Sequence, residues 1–201
     1  MFHQIRSSWG DNLTYLVGDD GSGKAFVVDT AGNGADVLKF LKKGDMALEY
    51  IIHTHCHPDH TAGSMELAKA TGARTVIHES SSRRMDVQVK EGSLLRVGKF
   101  EVSFIHTPGH TPESMCVLQG KDLFTGDTLF VGECGRTDMP GGDSGALYDS
   151  FQKLRRLPDD LIVWPGHDYG GVRSTLGKEK RGNYTLKPRD REAFIRFMAE
   201  P

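Results

Sequence analysis

Long apolar runs are missing from this chain. No stretch keeps apolar residues together for the roughly 18–20 positions that a membrane-spanning helix needs, so no span is expected. Cysteine is scarce. Only Cys56, Cys116 and Cys134 occur, an odd and unpatterned set that argues against a disulfide framework and for a reducing compartment. The expected setting is the cytoplasm. Charge of one sign is lacking as well. A net charge of −2 leaves neither a basic footprint for nucleic acid nor an acidic tail, so partners of nucleic-acid or membrane type are not expected. The opening MFHQIRSSWGDNLTYLVGD has no apolar core of the signal-peptide kind, so no signal peptide is expected. Repeats, low-complexity segments and linkers are absent too. At 201 residues, a single domain over 1–201 with one good core is the simplest organisation.

What is present is a series of short β-favouring runs broken by turns, with a few helical patterns between them. NLTYLVGD (12–19) and KAFVVDT (24–30) read as hairpin strands joined by DGSG. ADVLKFLKK (35–43) spaces its apolar residues helically, and Gly44 follows as a stop. LEYIIHT (48–54) and RTVIH (74–78) read as strands, with SMELAKATG (64–72) as a helix between them. Residues 93–107 and 114–127 form two hairpin patterns. GALYDSFQKLRRL (145–157) and DREAFIRFMAE (190–200) read as helices, capped from GGDS and by Asp190. DLIVWPGHDYGG (160–171) is a strand running into a loop. This order suggests sheets inside and helices outside, an α/β (α+β) domain.

Four of the β-rich runs end in histidine or aspartate. YIIHTHCHPDH ends in His55, His57, Asp59 and His60; VSFIHTPGH ends in His110; DLFTGD ends in Asp127; LIVWPGH ends in His167. Glycine or proline chemistry follows or interrupts each run, which places these side chains on loops at one rim of a rigid scaffold. Imidazoles and carboxylates together suit zinc, iron or manganese, whereas carbonyl-rich sets suit calcium or magnesium. His55 and His57 are two apart and project to one side of an extended segment. Pro58 then turns the chain, so Asp59 and His60 face elsewhere and one loop serves two adjacent positions. His53 and His106 each precede a threonine at the end of a strand and read as structural. His3 and His78 have no motif context.

THCHPDH matches the T-H-x-H-x-D-H signature of the metallo-β-lactamase superfamily, and His110, Asp127 and His167 follow in the order of that family's later ligands. The chain therefore resembles the superfamily over essentially its whole length. The resemblance implies an αββα sandwich with a metal site at one edge of the two sheets. In dinuclear members, residues matching His55, His57 and His110 hold one metal. Those matching Asp59, His60 and His167 hold the other, and the match to Asp127 bridges them.

Within the superfamily, TGDTLFVGECGRTDMPGGD (125–143) resembles the glyoxalase II and persulfide dioxygenase branch. PGHDYGG (165–171) and STLGKEKRGN (174–183) look more like the dioxygenases. That resemblance implies an enzyme with one Fe(II) per chain. It oxidises glutathione persulfide, or a similar thiol persulfide, with O2 to sulfite. His55, His110 and Asp127 are then the ligands and the catalytic set. Two histidines and a carboxylate on one face leave positions open for O2 and a persulfide sulfur. His57, Asp59, His60 and His167 stand behind them, holding ligands and waters in place. The alternative is a compact dinuclear hydrolase of glutathione thioesters, in which all seven residues hold two Zn(II) ions and a bridging water attacks the thioester. Arg136 and Tyr169 are the expected substrate-binding residues, with KEKR (178–181) adding positive charge. Cys56 and Cys134 read as structural, since no activating cation is evident beside them. One departure from the dioxygenase pattern is GNYTLKPRD, where Tyr184 and Thr185 stand in place of a Pro-Arg pair; Arg189 is the candidate replacement. After His167 only 34 residues remain, too few for the helical glutathione-binding domain of two-domain glyoxalase II enzymes. A homodimer is among the expected assemblies. A non-catalytic metal-binding protein is the remaining class and fits poorly, because no ligand position is missing.

Overall fold

The computed structural model describes residues 1–8 and 10–200. Its chain runs β1 (Phe2–Arg6), β2 (Leu13–Asp19), β3 (Lys24–Val28), α1 (Gly34–Gly44), β4 (Ala47–Ile52), α2 (Pro58–Thr61), α3 (Ser64–Thr71), β5 (Arg74–His78) and β6 (Val87–Val89). It continues through β7 (Leu94–Val97), β8 (Phe100–His106), β9 (Met115–Gln119), β10 (Asp122–Gly126), α4 (Ser144–Arg155), β11 (Ile162–Pro165), β12 (Ser174–Thr175), α5 (Leu176–Gly182), a 3-10 turn at Tyr184–Leu186, and α6 (Arg191–Ala199). One six-stranded sheet has the order β1-β2-β3-β4-β5-β6, the other β12-β11-β10-β9-β8-β7. Among the described residues, no helix is long and apolar enough to cross a membrane.

The period-two alternation of the strands builds three apolar layers. Tyr15, Phe26, Val28 and Ile52 of one sheet meet Phe104, Val117, Phe124 and Trp164 of the other in the central layer. The residues between them face outward. Ala25, Val27 and Ile51 pack under α1 and α3, while Cys116, Leu123 and Val163 pack under α4 and α6. The result is the expected αββα sandwich. Each fully buried large side chain contributes on the order of 2 kcal/mol, so the rim of the sandwich is held by packed sheets rather than by its own loops.

The strand pairing aims the site. β3 and β4 run parallel, as do β10 and β11, so in each sheet the two strands that carry the polar residues end at the same side. Asp190 and Asp143 cap α6 and α4 as expected, accepting from the Ala193 and Ala146 amides. α1 departs slightly from expectation: Gly44 is its last residue, and Asp45, at φ 50°, takes the left-handed position. β1, β6, β12, α2 and α5 are elements that the sequence reading did not assign. The strand expected within 160–171 is confined to Ile162–Pro165.

Candidate metal centre

β3 ends at Val28, and the next residue, Asp29, sits at φ 48°, a conformation that non-glycine residues seldom adopt. This turns its carboxylate toward the end of β4. There it accepts hydrogen bonds from the Thr54 amide (2.9 Å), the Thr54 hydroxyl (2.7 Å) and His60 Nδ1 (2.9 Å). The last contact fixes the tautomer of His60, because a carboxylate only accepts. Nε2 of His60 is left as a lone pair facing the rim. The same logic applies twice more. Thr54 has given its hydroxyl hydrogen to Asp29, so His55 Nδ1 donates to that oxygen at 3.1 Å. His110 Nδ1 donates to the Arg136 carbonyl at 2.8 Å. Three imidazoles thus present bare Nε2 atoms to one place.

Those atoms crowd each other. His57 Nδ1 lies 3.1 Å from His55 Nε2 and 3.0 Å from His110 Nε2. His60 Nε2 lies 3.1 Å from His167 Nε2 and 3.2 Å from Asp127 Oδ1. A single hydrogen on His57 satisfies only one of its two contacts, so lone pairs face lone pairs. Asp127 Oδ1 is buried and accepts no well-directed hydrogen bond, which in a closed interior is costly. Ligand atoms bound at about 2.0–2.1 Å to a shared ion sit roughly 2.9–3.4 Å apart, so the crowding has the dimensions of a coordination shell. Three overlapping donor sets result: His55, His57 and His110; His55, His60 and Asp127; Asp59, His60 and His167. The residues fit a metal, and their chemistry suits iron and zinc alike.

The electrostatics agree. Burial holds His55 well below the ordinary imidazole range, so it is neutral, the form that ligates. For His60, burial opposes charge, yet the Asp127 and Asp29 carboxylates raise its pKa well above the ordinary value, so without a metal a proton takes Nε2, the position from which a bound ion would displace it. The field at this spot favours a cation. His53 is fully buried with both ring nitrogens unpartnered, and burial pushes its pKa down to about 4. It sits behind the site as a neutral ring, consistent with a structural role.

His57, Asp59, His110, Asp127 and His167 open onto a cavity of about 370 Å³ that Arg136 and Tyr169 also line. Tyr169 stacks on His167 at 4.8 Å and 10° and meets the edge of Phe130. Arg136 is at the mouth, but Asp138 holds its guanidinium in a fork with two 2.6 Å hydrogen bonds. Burial raises the Cys56 thiol and pushes Cys134 up to about 12, so neither is an activated nucleophile. Gly135 is required by close approach: a Cβ there would lie 1.9 Å from the Asp127 carbonyl.

Two candidate cationic groups have partners within the protein. In KEKR, Lys180 and Arg181 pair with Asp159, Lys178 is exposed, and the residue that ties the segment to the cavity loop is the buried Glu179. It accepts from the Gly132 amide (2.8 Å), from Asn183 (3.1 Å) and from Ser174, so α5 anchors the loop that lines the cavity. Arg189, the candidate replacement for the missing arginine, is likewise engaged within the chain. Its guanidinium lies over Phe197 and donates to the carbonyls of Tyr184 and Thr185. Two residues were not anticipated. Asp29 is one. The other is Asn12, whose amide donates to Asp59 Oδ2 at 2.9 Å and lies 3.5 Å and 3.4 Å from Nε2 of His60 and His167. Asn12 directly precedes β2 and carries no sequence signal for this role.

Comparison with known proteins follows the same line. Residues 8–167 match the metallo-beta-lactamase superfamily model. The human mitochondrial persulfide dioxygenase ETHE1 is 37% identical over 197 residues, covering 92% of this chain and 75% of that protein. A hydroxyacylglutathione hydrolase of a Polaromonas species is also 37% identical, over 178 residues, covering 84% of this chain and 67% of that protein. The crystal structure of ETHE1 from Myxococcus xanthus superposes with a TM-score of 0.94 at 36% identity, covering 100% of this chain and 90% of that one.

Proposed function

We propose, for a chain that belongs to the metallo-β-lactamase superfamily, that it is an Fe(II)-dependent persulfide dioxygenase. The substrate is glutathione persulfide or a similar thiol persulfide. Persulfide, O2 and water give thiol, sulfite and two protons, a balance that needs no further reductant. The observation that carries this reading is the end-to-end match to an ETHE1 structure, in which 100% of this chain and 90% of that one superpose. The cytoplasmic setting belongs to the same reading and is in keeping with three free cysteines.

In this reading His55, His110 and Asp127 hold one Fe(II) per chain. When bound, the ion supplies a redox-active centre with open positions for O2 and the persulfide sulfur. The chain's own residues do the rest. Thr54 and the Arg136 carbonyl orient His55 and His110 through their Nδ1 hydrogens. Phe130 and Tyr169 wall the cavity beside His167 and limit water around the sulfur. Arg136, exchanging Asp138 for a substrate carboxylate, anchors the carrier by a bidentate fork. Asn12 supports a single metal: its amide already donates into the Asp59, His60 and His167 set, where a second ion would otherwise sit.

A second reading has its own support. Asp59, His60 and His167 form a donor set that could hold a metal, with Asp127 between the sets, as a dinuclear zinc hydrolase of glutathione thioesters would require. Asp59→Ala separates the two. A mononuclear enzyme keeps about one metal per chain by elemental analysis, whereas a fall from about two to about one contradicts the dioxygenase reading.

A further inference from the structure

A second cavity, of about 420 Å³, adjoins the metal cavity. Cys134 and Arg136 line both, so the loop that carries them is the shared wall. The far side is formed by Tyr184 and by Phe197, Met198 and Glu200 at the end of α6. Each space is of ligand-binding size.

The second cavity is lined by two carboxylates, Glu133 and Glu200, while Arg189 lies behind its wall, over Phe197 and engaged by the Tyr184 and Thr185 carbonyls. Arg136 is its only cationic lining residue, and Asp138 occupies that guanidinium in a fork. The Tyr184 phenol donates to one carboxylate oxygen of Glu133. No cation among the described residues pairs with Glu133, or with the exposed Glu200. The phenol is held neutral, pushed up to about 12 first by its hydrogen bond to Glu133 and then by burial, so it stays a donor and fixes the carboxylate in place. A half-buried acid oriented in this way, with Phe197 and Met198 beside it, is complementary to an ammonium group on a partly apolar stem.

Reach agrees with this. Gly135 lies against the Asp127 carbonyl, and Glu133 is two residues away, a separation of no more than about 7 Å between Cα atoms. A thiol of tripeptide length spans on the order of 10 Å when extended. Its sulfur can therefore sit at the metal while its far end reaches Glu133.

We infer that this second cavity seats the far end of the thiol carrier and that Glu133 selects carriers bearing a free ammonium group there. The inference rests on the thiol-substrate reading above, and it names Glu133 as the determinant of carrier choice.

The test is calorimetric titration of the metal-loaded enzyme with glutathione and with N-acetylglutathione, which lacks the ammonium. The wild type is expected to bind the acetylated thiol about fivefold more weakly. In Glu133→Gln the two thiols should bind within about twofold of each other, with metal content unchanged. Tyr184→Phe keeps the carboxylate but releases its orientation, so the discrimination should narrow while staying above that of Glu133→Gln. Equal affinities in the wild type, or undiminished discrimination in Glu133→Gln, overturn the ammonium seat and leave the thiol reading standing. Failure of both thiols to bind the metal-loaded enzyme overturns the seat and the thiol reading together.

Discussion

Asp29 does the most positioning of any single residue at the rim. Its two oxygens bind the Thr54 amide, the Thr54 hydroxyl and His60 Nδ1, and through Thr54 it also sets the tautomer of His55. Partners that orient metal-bound imidazoles are worth roughly 10–100-fold in metal affinity. Asp29→Ala is therefore expected to weaken metal binding by about that factor, measured by competition with a chelator. Unchanged affinity would contradict the tautomer argument. The seven candidate donors were legible in the sequence because metal coordination admits few residue types and these cluster at strand ends, and the structure brings them together. Asp29 and Asn12 were not. Each meets its partner only where strands far apart in sequence end together, and a lone Asp or Asn at a strand boundary reads equally well as a turn residue. Arg136 was legible as a candidate, while its fork with Asp138, two residues away, shows up only in three dimensions.

α5 carries the clearest lesson at the level of elements. Its sequence, LGKEKRG, reads as a charged surface segment, yet the one buried charge, Glu179, ties Gly132, Ser174 and Asn183 together. Asn183 in turn donates to the carbonyls of Phe130 and Glu133. The cavity-lining loop therefore hangs from α5. Glu179→Ala leaves the Gly132 amide and the Ser174 hydroxyl without their acceptor and should destabilise the fold by about 2–3 kcal/mol, read from urea unfolding, and should raise KM more than it lowers metal content. A stability change under about 0.5 kcal/mol, typical of plain surface positions, would show that the loop has other anchors. The elements missed from sequence share a physical reason. β1 buries only Ile5 of its five residues, β12 has two residues, and α2 is a single turn opened by Pro58. None is long enough or apolar enough to show its period. The long alternating strands and the amphipathic helices α1, α4 and α6 did show theirs, which is why the layers were readable.

In the whole molecule, the metal centre lies at the joint between the two sheets. One sheet supplies His55, His57, Asp59 and His60 from the loop after β4. The other supplies His110 after β8, Asp127 after β10 and His167 after β11. The sandwich brings these groups to one rim because each sheet ends a parallel pair there. This arrangement explains how one scaffold serves both kinds of relative, since the donor sets for one and for two metals share residues. Fold and candidate donors were therefore readable from the strand-end pattern, while metal count was not, because the donor sets for one ion and for two share residues. The measurement that bears most directly on the proposed function is metal content together with turnover, on protein made with iron and zinc both available. About one iron per chain, with O2 uptake on glutathione persulfide and no hydrolysis of S-lactoylglutathione, is the predicted result. Two tightly bound metals with thioester hydrolysis and no O2 uptake would contradict it.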